Sequence, residues 1–108
     1  MAQEFKCSTG ADRTPTPTGV FDETVRRGAQ WHYFKDFGVW AQYAIHIDNT
    51  GNVMFHSVLT RKKGGQPTDA SVAALGKRAT HGCIRLAVSD AQWMYEHVTD
   101  GTTVVIQE

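Results

Sequence analysis

From residue 40 to residue 59 the chain twice runs through alternating branched, aromatic and polar side chains, with one turn-forming interruption between, and few folds accept that pattern. In the first stretch, 40–47, Tyr43, Ile45 and Ile47 alternate with smaller or polar neighbours, as a half-buried strand requires. Asp48-Asn49-Thr50-Gly51-Asn52 then supplies the chemistry of a reversing turn. The return strand, 53–59, puts Val53, Phe55, Ser57 and Leu59 on one face and Met54, His56 and Val58 on the other. The expected unit is an antiparallel hairpin. With Ala44 opposite His56, His46 and His56 share a face, and a slip of one residue would separate them.

The surrounding elements are short. Residues 31–34 are aromatic-rich and read as another strand, with further strands at 5–7, 20–21 and 103–106. The segment 8–19 holds two prolines and two glycines and reads as an ordered loop. A helix is expected from an N-cap at Thr68 to Leu75, ended by Gly76. A second one is expected with Ser89 as N-cap, paired with Gln92 in a capping box, and Val88 stapled to Trp93. Its apolar stripe is Ala91, Met94, Tyr95 and Val98. At 108 residues, without a repeat or a long linker, residues 1–108 form one expected domain. Strands outnumber helices, so the class is mainly β, a β-rich α+β fold with one or two short helices.

Eleven basic residues balance eleven acidic ones, which leaves no global field for a nucleic acid or an anionic membrane. Arg61-Lys62-Lys63 precedes two glycines and reads as a solvated loop tip. No apolar run is long enough to span a bilayer, and residues 1–6 lack the pattern of an export signal. Two cysteines, Cys7 and Cys83, are too few for a disulfide scaffold.

Chemistry concentrates in Thr80-His81-Gly82-Cys83-Ile84-Arg85-Leu86, where a thiol, an imidazole, a glycine and a guanidinium fall within a few residues between two elements. A cysteine nucleophile needs a neighbouring base or cation. Gly82, lacking a Cβ, lets backbone N–H groups approach a substrate oxyanion. Cys7 has no histidine near it in sequence and reads as a small buried hydrophobe. Of the five histidines, His97 lies at the end of the second helix and reads as structural, and His32 is uninformative. The base is then His56, fixed by a strand, or His81, two residues before the thiol, with His46 dependent on the hairpin register.

These residues resemble the L,D-transpeptidase catalytic domain, the YkuD-type family of peptidoglycan-modifying enzymes. The family hallmark reads here as His56-Ser57, followed by Thr80-His81-Gly82-Cys83-Ile84-Arg85. Secondary features also agree: Ser8-Thr9-Gly10, Thr16-Pro17-Thr18-Gly19-Val20-Phe21, Phe55-His56-Ser57-Val58-Leu59, Leu75-Gly76, and Gly101-Thr102-Thr103-Val104-Val105-Ile106.

The resemblance implies an L,D-transpeptidase-like β-sandwich and a peptidoglycan stem-peptide substrate, with no cofactor and no metal. Cys83 would attack a donor tetrapeptide before its terminal D-alanine, and the acyl group would pass to an acceptor's diamino-acid amine, giving a third-to-third crosslink. His56 would be the base, oriented by the backbone carbonyl of Ser57, and the N–H groups of Gly82 and Cys83 would form the oxyanion hole. His81 would shape the pocket, and Arg85 would orient the loop or bind a substrate carboxylate. Carbapenem-type inhibitors would acylate the same thiol. Hydrolysis by an L,D-carboxypeptidase, or an inactive peptidoglycan-binding module, are the alternatives within the fold. A zinc site of His46, His56, His81 and Cys83 is the alternative outside it. Family domains usually carry one or two strands before Ser-Thr-Gly, so the resemblance implies N-terminal shortening, an exposed sheet edge near Ser8, and dimerisation through it. An extracytoplasmic location is expected from the substrate.

Overall fold

The computed structural model describes residues 3–107. Its elements in chain order are β1 Cys7–Gly10, β2 Gly19–Phe21, β3 Arg26–Arg27, β4 Trp31–Phe34, β5 Val39–Gln42, β6 Ile45–His46, β7 Met54–Ser57, α1 Asp69–Ala73, β8 Arg78–Thr80, β9 Ile84–Leu86, α2 Val88–His97 and β10 Val104–Ile106. Six strands form one mixed sheet in the order β3-β6-β7-β9-β1-β8, and β4-β5 and β2-β10 form two ribbons. The expected β-rich class with two short helices is the one observed.

The long strand expected over 40–47 is two strands. Tyr43 takes φ 60°, a left-handed conformation rare outside glycine, and its N–H donates to Gln30 O while Ala44 N–H donates to Ala29 O. The kink lets one stretch serve two sheets: β5 pairs with β4, and β6 pairs with β7. In the β6–β7 hairpin Ile45 faces Phe55 and His46 faces Met54, the register that leads to Ala44 opposite His56. The return strand regularises only over Met54–Ser57, and Val53, Met54, His56, Ser57 and Val58 are all buried. Both faces of β7 are covered, so the expected contrast between its faces does not develop.

Residues 8–10 are strand, not loop, and Phe5 lies outside β1. The prolines that argued for a loop come at 15 and 17, after the strand, and β1 lies inside the sheet, antiparallel to β9 and parallel to β8. A Cβ on Gly10 would stand 2.0 Å from Thr14 O, so the loop returning over β1 requires glycine there. Because β8 covers one side of β1 and β9 the other, the open edge expected near Ser8 is absent, and with it the basis for dimerisation at that place. The sheet ends instead at β3 and β8, and β3 is a pair of arginines, a poor template for strand addition.

Thr68 caps α1, its side chain accepting from Ser71 N, and the chain leaves through Gly76 at φ 90°. The helix proper ends at Ala73, with turns to Leu75. Helix α2 begins at Val88 after Ala87, with no side-chain cap, so Ser89 lies in its first turn and is not the N-cap. Ala91 is buried and Met94, Tyr95 and Val98 half-buried as the helix packs against β5, β7 and β9. Tyr95 fastens it further, donating through its hydroxyl to Gly28 O at 2.7 Å.

Candidate active site

The parallel pairing of β7 with β9 sets the site. It aligns Phe55 with Ile84, His56 with Arg85 and Ser57 with Leu86. Aligned residues share a face, and strand residues two apart do as well, so Met54, His56 and Arg85 point the same way, with Cys83 just before β9. A parallel pair needs a crossover, and the segment carrying α1 and β8 provides it. Two residues far apart in sequence therefore line one cavity of about 650 Å³ with His32, Phe34, Phe37, Asn52, Thr80, His81 and Arg85.

His56 is 3% exposed. Its Nδ1 lies 2.6 Å from the carbonyl oxygen of Ser57. A carbonyl only accepts, so Nδ1 carries the hydrogen and Nε2 is left with its lone pair. Burial pushes the imidazole down to about 4, outweighing the Ser57 carbonyl, which favours protonation, and assisted by the charges of Arg85 and His32. The ring is neutral at pH 7 and able to accept a proton. Ser57 is held in turn: its Oγ donates to Val58 O at 2.9 Å and accepts from Gln42 N at 2.7 Å.

Cys83 is also buried, packed with Ala44, Met54 and Phe34. Burial pushes its thiol up; the Met54 N–H and the Arg85 charge act the other way, and Asp48 adds to the rise. The lowered thiol pKa expected of a nucleophile is thus absent from the resting site, which pairs a neutral thiol with a neutral imidazole. The thiol donates to Asn52 O at 3.1 Å.

The loop that carries Cys83 is braced by Thr80, whose Oγ1 donates to Cys83 O at 2.7 Å and accepts from Gly82 N at 3.1 Å. Gly82 takes φ 124°, a conformation that side chains rarely adopt. Its N–H, expected in the oxyanion hole, is engaged by Thr80, so of the two expected donors Cys83 N–H is the one this bond leaves to that role. His81 is exposed and stacks on Phe37 at 4.5 Å. Arg85 is buried with its Nε unpartnered among the described residues, on the wall of the cavity. His46 shares the sheet face of Met54 but is absent from the cavity lining; it packs against Gly28, where a Cβ would come within 2.8 Å of its Nε2. Cys7 is half-buried and away from the cavity, and its thiol is pushed up by burial. His97 stacks on Trp93 at 4.1 Å.

Among the described residues no three His, Cys, Asp or Glu side chains are grouped so as to hold a metal ion, so the zinc alternative lacks a ligand set. Sequence reasoning missed the β4–β5 tip, where Lys35, Asp36 and Phe37 border the cavity, gave no role to His32 or Asn52, and carried Thr80 only as part of the Cys83 motif. Asp36-Phe37-Gly38 carried a turn signal between two aromatic strands, but nothing local said over which loop the turn would close.

A sequence profile of the L,D-transpeptidase catalytic domain, YkuD, matches residues 1–106. The chain belongs to the L,D-transpeptidase family. It is 39% identical over 103 residues to YciB of Bacillus subtilis (strain 168), which carries the provisional name of an L,D-transpeptidase; the match covers 92% of this chain and 52% of YciB. Among solved structures, an L,D-transpeptidase from Mycobacterium tuberculosis H37Rv is similar with a TM-score of 0.74 and 27% identity, over 96% of this chain and 42% of that one. L,D-transpeptidase 3 from Mycobacterium tuberculosis, in complex with a faropenem-derived adduct, has the same fold with a TM-score of 0.65 and 24% identity, over 96% and 44%. The chain spans about half the length of YciB and less than half of either mycobacterial chain.

Proposed function

We propose that this chain is a peptidoglycan L,D-transpeptidase that forms third-to-third crosslinks through an acyl-enzyme on Cys83. The observation that carries the reading is the convergence of Cys83, a neutral His56 with Nε2 free of the Ser57 bond, and Arg85 on one cavity wall. His56 Nε2 takes the thiol proton as sulfur attacks the carbonyl of the donor's third residue. Cys83 N–H stabilises the oxyanion. Collapse of the tetrahedral intermediate expels D-alanine, its amine taking the proton from His56, and leaves a thioester. The acceptor's side-chain amine attacks that thioester, His56 removes its proton, and the thiolate leaves and is reprotonated. Arg85 offers its buried guanidinium to a donor carboxylate. Such a substrate places the protein outside the cytoplasmic membrane.

Incubation with a tetrapeptide donor and a diamino-acid acceptor, read by mass spectrometry, tests this. Released D-alanine with a ligated product supports transpeptidation. Released D-alanine without ligation assigns an L,D-carboxypeptidase, in which water replaces the amine. No turnover and no Cys83 adduct with a carbapenem or faropenem would assign an inactive binding module; an adduct seen in a relative makes that probe informative.

A further inference from the structure

The Asp48–Asn52 turn between β6 and β7 touches the nucleophile through a chain of hydrogen bonds. Asp48 Oδ1 accepts from Thr50 N at 3.0 Å and from Thr50 Oγ1 at 2.7 Å. Thr50 Oγ1 accepts from Asn52 N at 3.0 Å, and Asn52 O accepts from the Cys83 thiol at 3.1 Å. Asn52 thus has its N–H tied to the turn and its carbonyl to the sulfur, one residue before the buried Val53. Gly51, at φ 79°, lets the chain close this compactly.

We propose that Asp48 and Thr50 are positioning residues, which hold the Asn52 carbonyl where it binds the Cys83 thiol proton and so keep the nucleophile in a protonated resting state until substrate fills the cavity. The inference rests on Cys83 being the nucleophile. A thiol that donates to a carbonyl is stabilised in its neutral form, because a thiolate has no hydrogen to give. Asn52 and Cys83 both line the cavity, so a substrate that fills it meets the residue whose carbonyl holds the thiol proton. A peptide substrate brings N–H donors, and one of them competes for Asn52 O. Once displaced, the thiol turns to His56 Nε2, and the S–H bond breaks and an N–H bond forms as the sulfur attacks the bound carbonyl. Reactivity is thereby confined to the occupied site, and the free enzyme's thiol is shielded from adventitious alkylation and oxidation.

Other charged or titratable groups share the cavity with Cys83 or act on its thiol: His32, Lys35 and Asp36 on the β4–β5 hairpin, His56 on β7, His81 on the loop before Cys83 and Arg85 on β9 line the cavity, and the charges of Arg85 and of Asp48 on the turn reach the thiol. All are unchanged by substitution at Thr50, so a Thr50 variant isolates the hydrogen-bond chain, which Asp48→Asn would confound with a charge change. The experiment uses Cys7→Ala as the background, leaving Cys83 as the sole thiol. Iodoacetamide alkylation is followed from pH 5 to 10 for that protein and for Thr50→Val and Thr50→Ser added to it. Loss of roughly one ordinary hydrogen bond to the neutral thiol should lower the alkylation midpoint of Thr50→Val by about half to one pH unit. Below the midpoint, alkylation should accelerate about three- to tenfold. Thr50→Ser keeps the hydroxyl and should follow the parent. The S–H infrared stretch should move to higher frequency in Thr50→Val as the bond to Asn52 loosens. A shared midpoint and an unshifted S–H band overturn the proposal, whereas absence of a Cys83 adduct with a carbapenem or faropenem in the Cys7→Ala protein overturns the nucleophile reading as well. Thr50 is exposed, and Thr50→Ala carries the same comparison if the valine folds poorly.

Discussion

Burial of His56 as a neutral imidazole ties folding to pH, and the size of the effect follows from the site. In the unfolded chain the ring titrates near 6.5, and in the fold near 4. The fold therefore binds fewer protons than the unfolded chain between those values. The stability that His56 contributes is fully present above pH 6.5, falls as pH drops through 6.5 toward 4, and levels off below 4. The interval corresponds to about 3 kcal/mol. His56 is almost fully buried, so solvent screening does not reduce that figure much. The assay is urea denaturation at a series of pH values from 8 to 4, for the parent and for His56→Asn. Asparagine keeps a donor for Ser57 O but cannot titrate in this range. His32 and His46, both also pushed down by burial, stay in each protein, so their contributions cancel in the comparison. The parent should lose about 3 kcal/mol more than His56→Asn across the range, whatever the offset between the two at pH 8. Parallel curves would refute the reasoning, since His56 would then have to be solvated or charged in the fold.

Cys83→Ala should abolish adduct formation with a carbapenem in intact-mass analysis, while Cys7→Ala should leave it intact; an exchange of behaviours would move the nucleophile. Gly10→Ala drives a methyl group against the backbone at Thr14 and Thr16 and should destabilise by about 3 kcal/mol, measured by denaturation. Arg85→Gln should raise KM for a donor with a free carboxylate roughly tenfold, and far less for the amidated donor, on the scale of one charge-assisted hydrogen bond; equal losses on both donors would make Arg85 purely structural. Thr68→Ala should cost about 1 kcal/mol in thermal or urea unfolding, since the side chain caps α1.

The residues whose roles depend on local pattern were legible. Thr68 and Gly76 bracket α1 because capping is decided within one turn of chain, and the 48–52 turn stands where its Asp, Asn and Gly residues demanded. Elements whose identity depends on distant partners were not. Residues 8–10 look like loop until β8 and β9 enclose them, and Tyr43 carries no sign of its left-handed backbone, which is set by the carbonyl of Gln30. Ser89 shows the reverse failure: a good capping residue in sequence, it is overtaken because β9 hands the chain to α2 two residues earlier. At the site, His56 and Cys83 were visible as chemistry, whereas the hairpin tip around Phe37 could be placed only by tertiary structure.

The proposed chemistry then follows from how deeply the fold buries Cys83 and His56. A cysteine beside a histidine can rest as thiolate and imidazolium, but only if the surroundings solvate two charges. Here β7 and β9 lie inside the sheet and the β4–β5 hairpin brings Phe34 to 5.0 Å from the His56 ring, so charge separation is opposed from both ends: the thiol is pushed up and the imidazole down. Proton transfer in the empty site is uphill for the same reason that the pair is buried. An oxyanion donor and a nearby guanidinium cannot offset that in advance, because they act on charge that develops only during attack. On the proposed mechanism the pair therefore reacts in concert with a bound carbonyl, the thiol proton leaving for His56 as the sulfur–carbon bond forms. With Cys83 as the proposed nucleophile, burial of this kind makes occupancy of the cavity the condition for reactivity. The rate of thiol alkylation by a small reagent and the rate of acylation by a peptide donor should accordingly depend on pH in different ways.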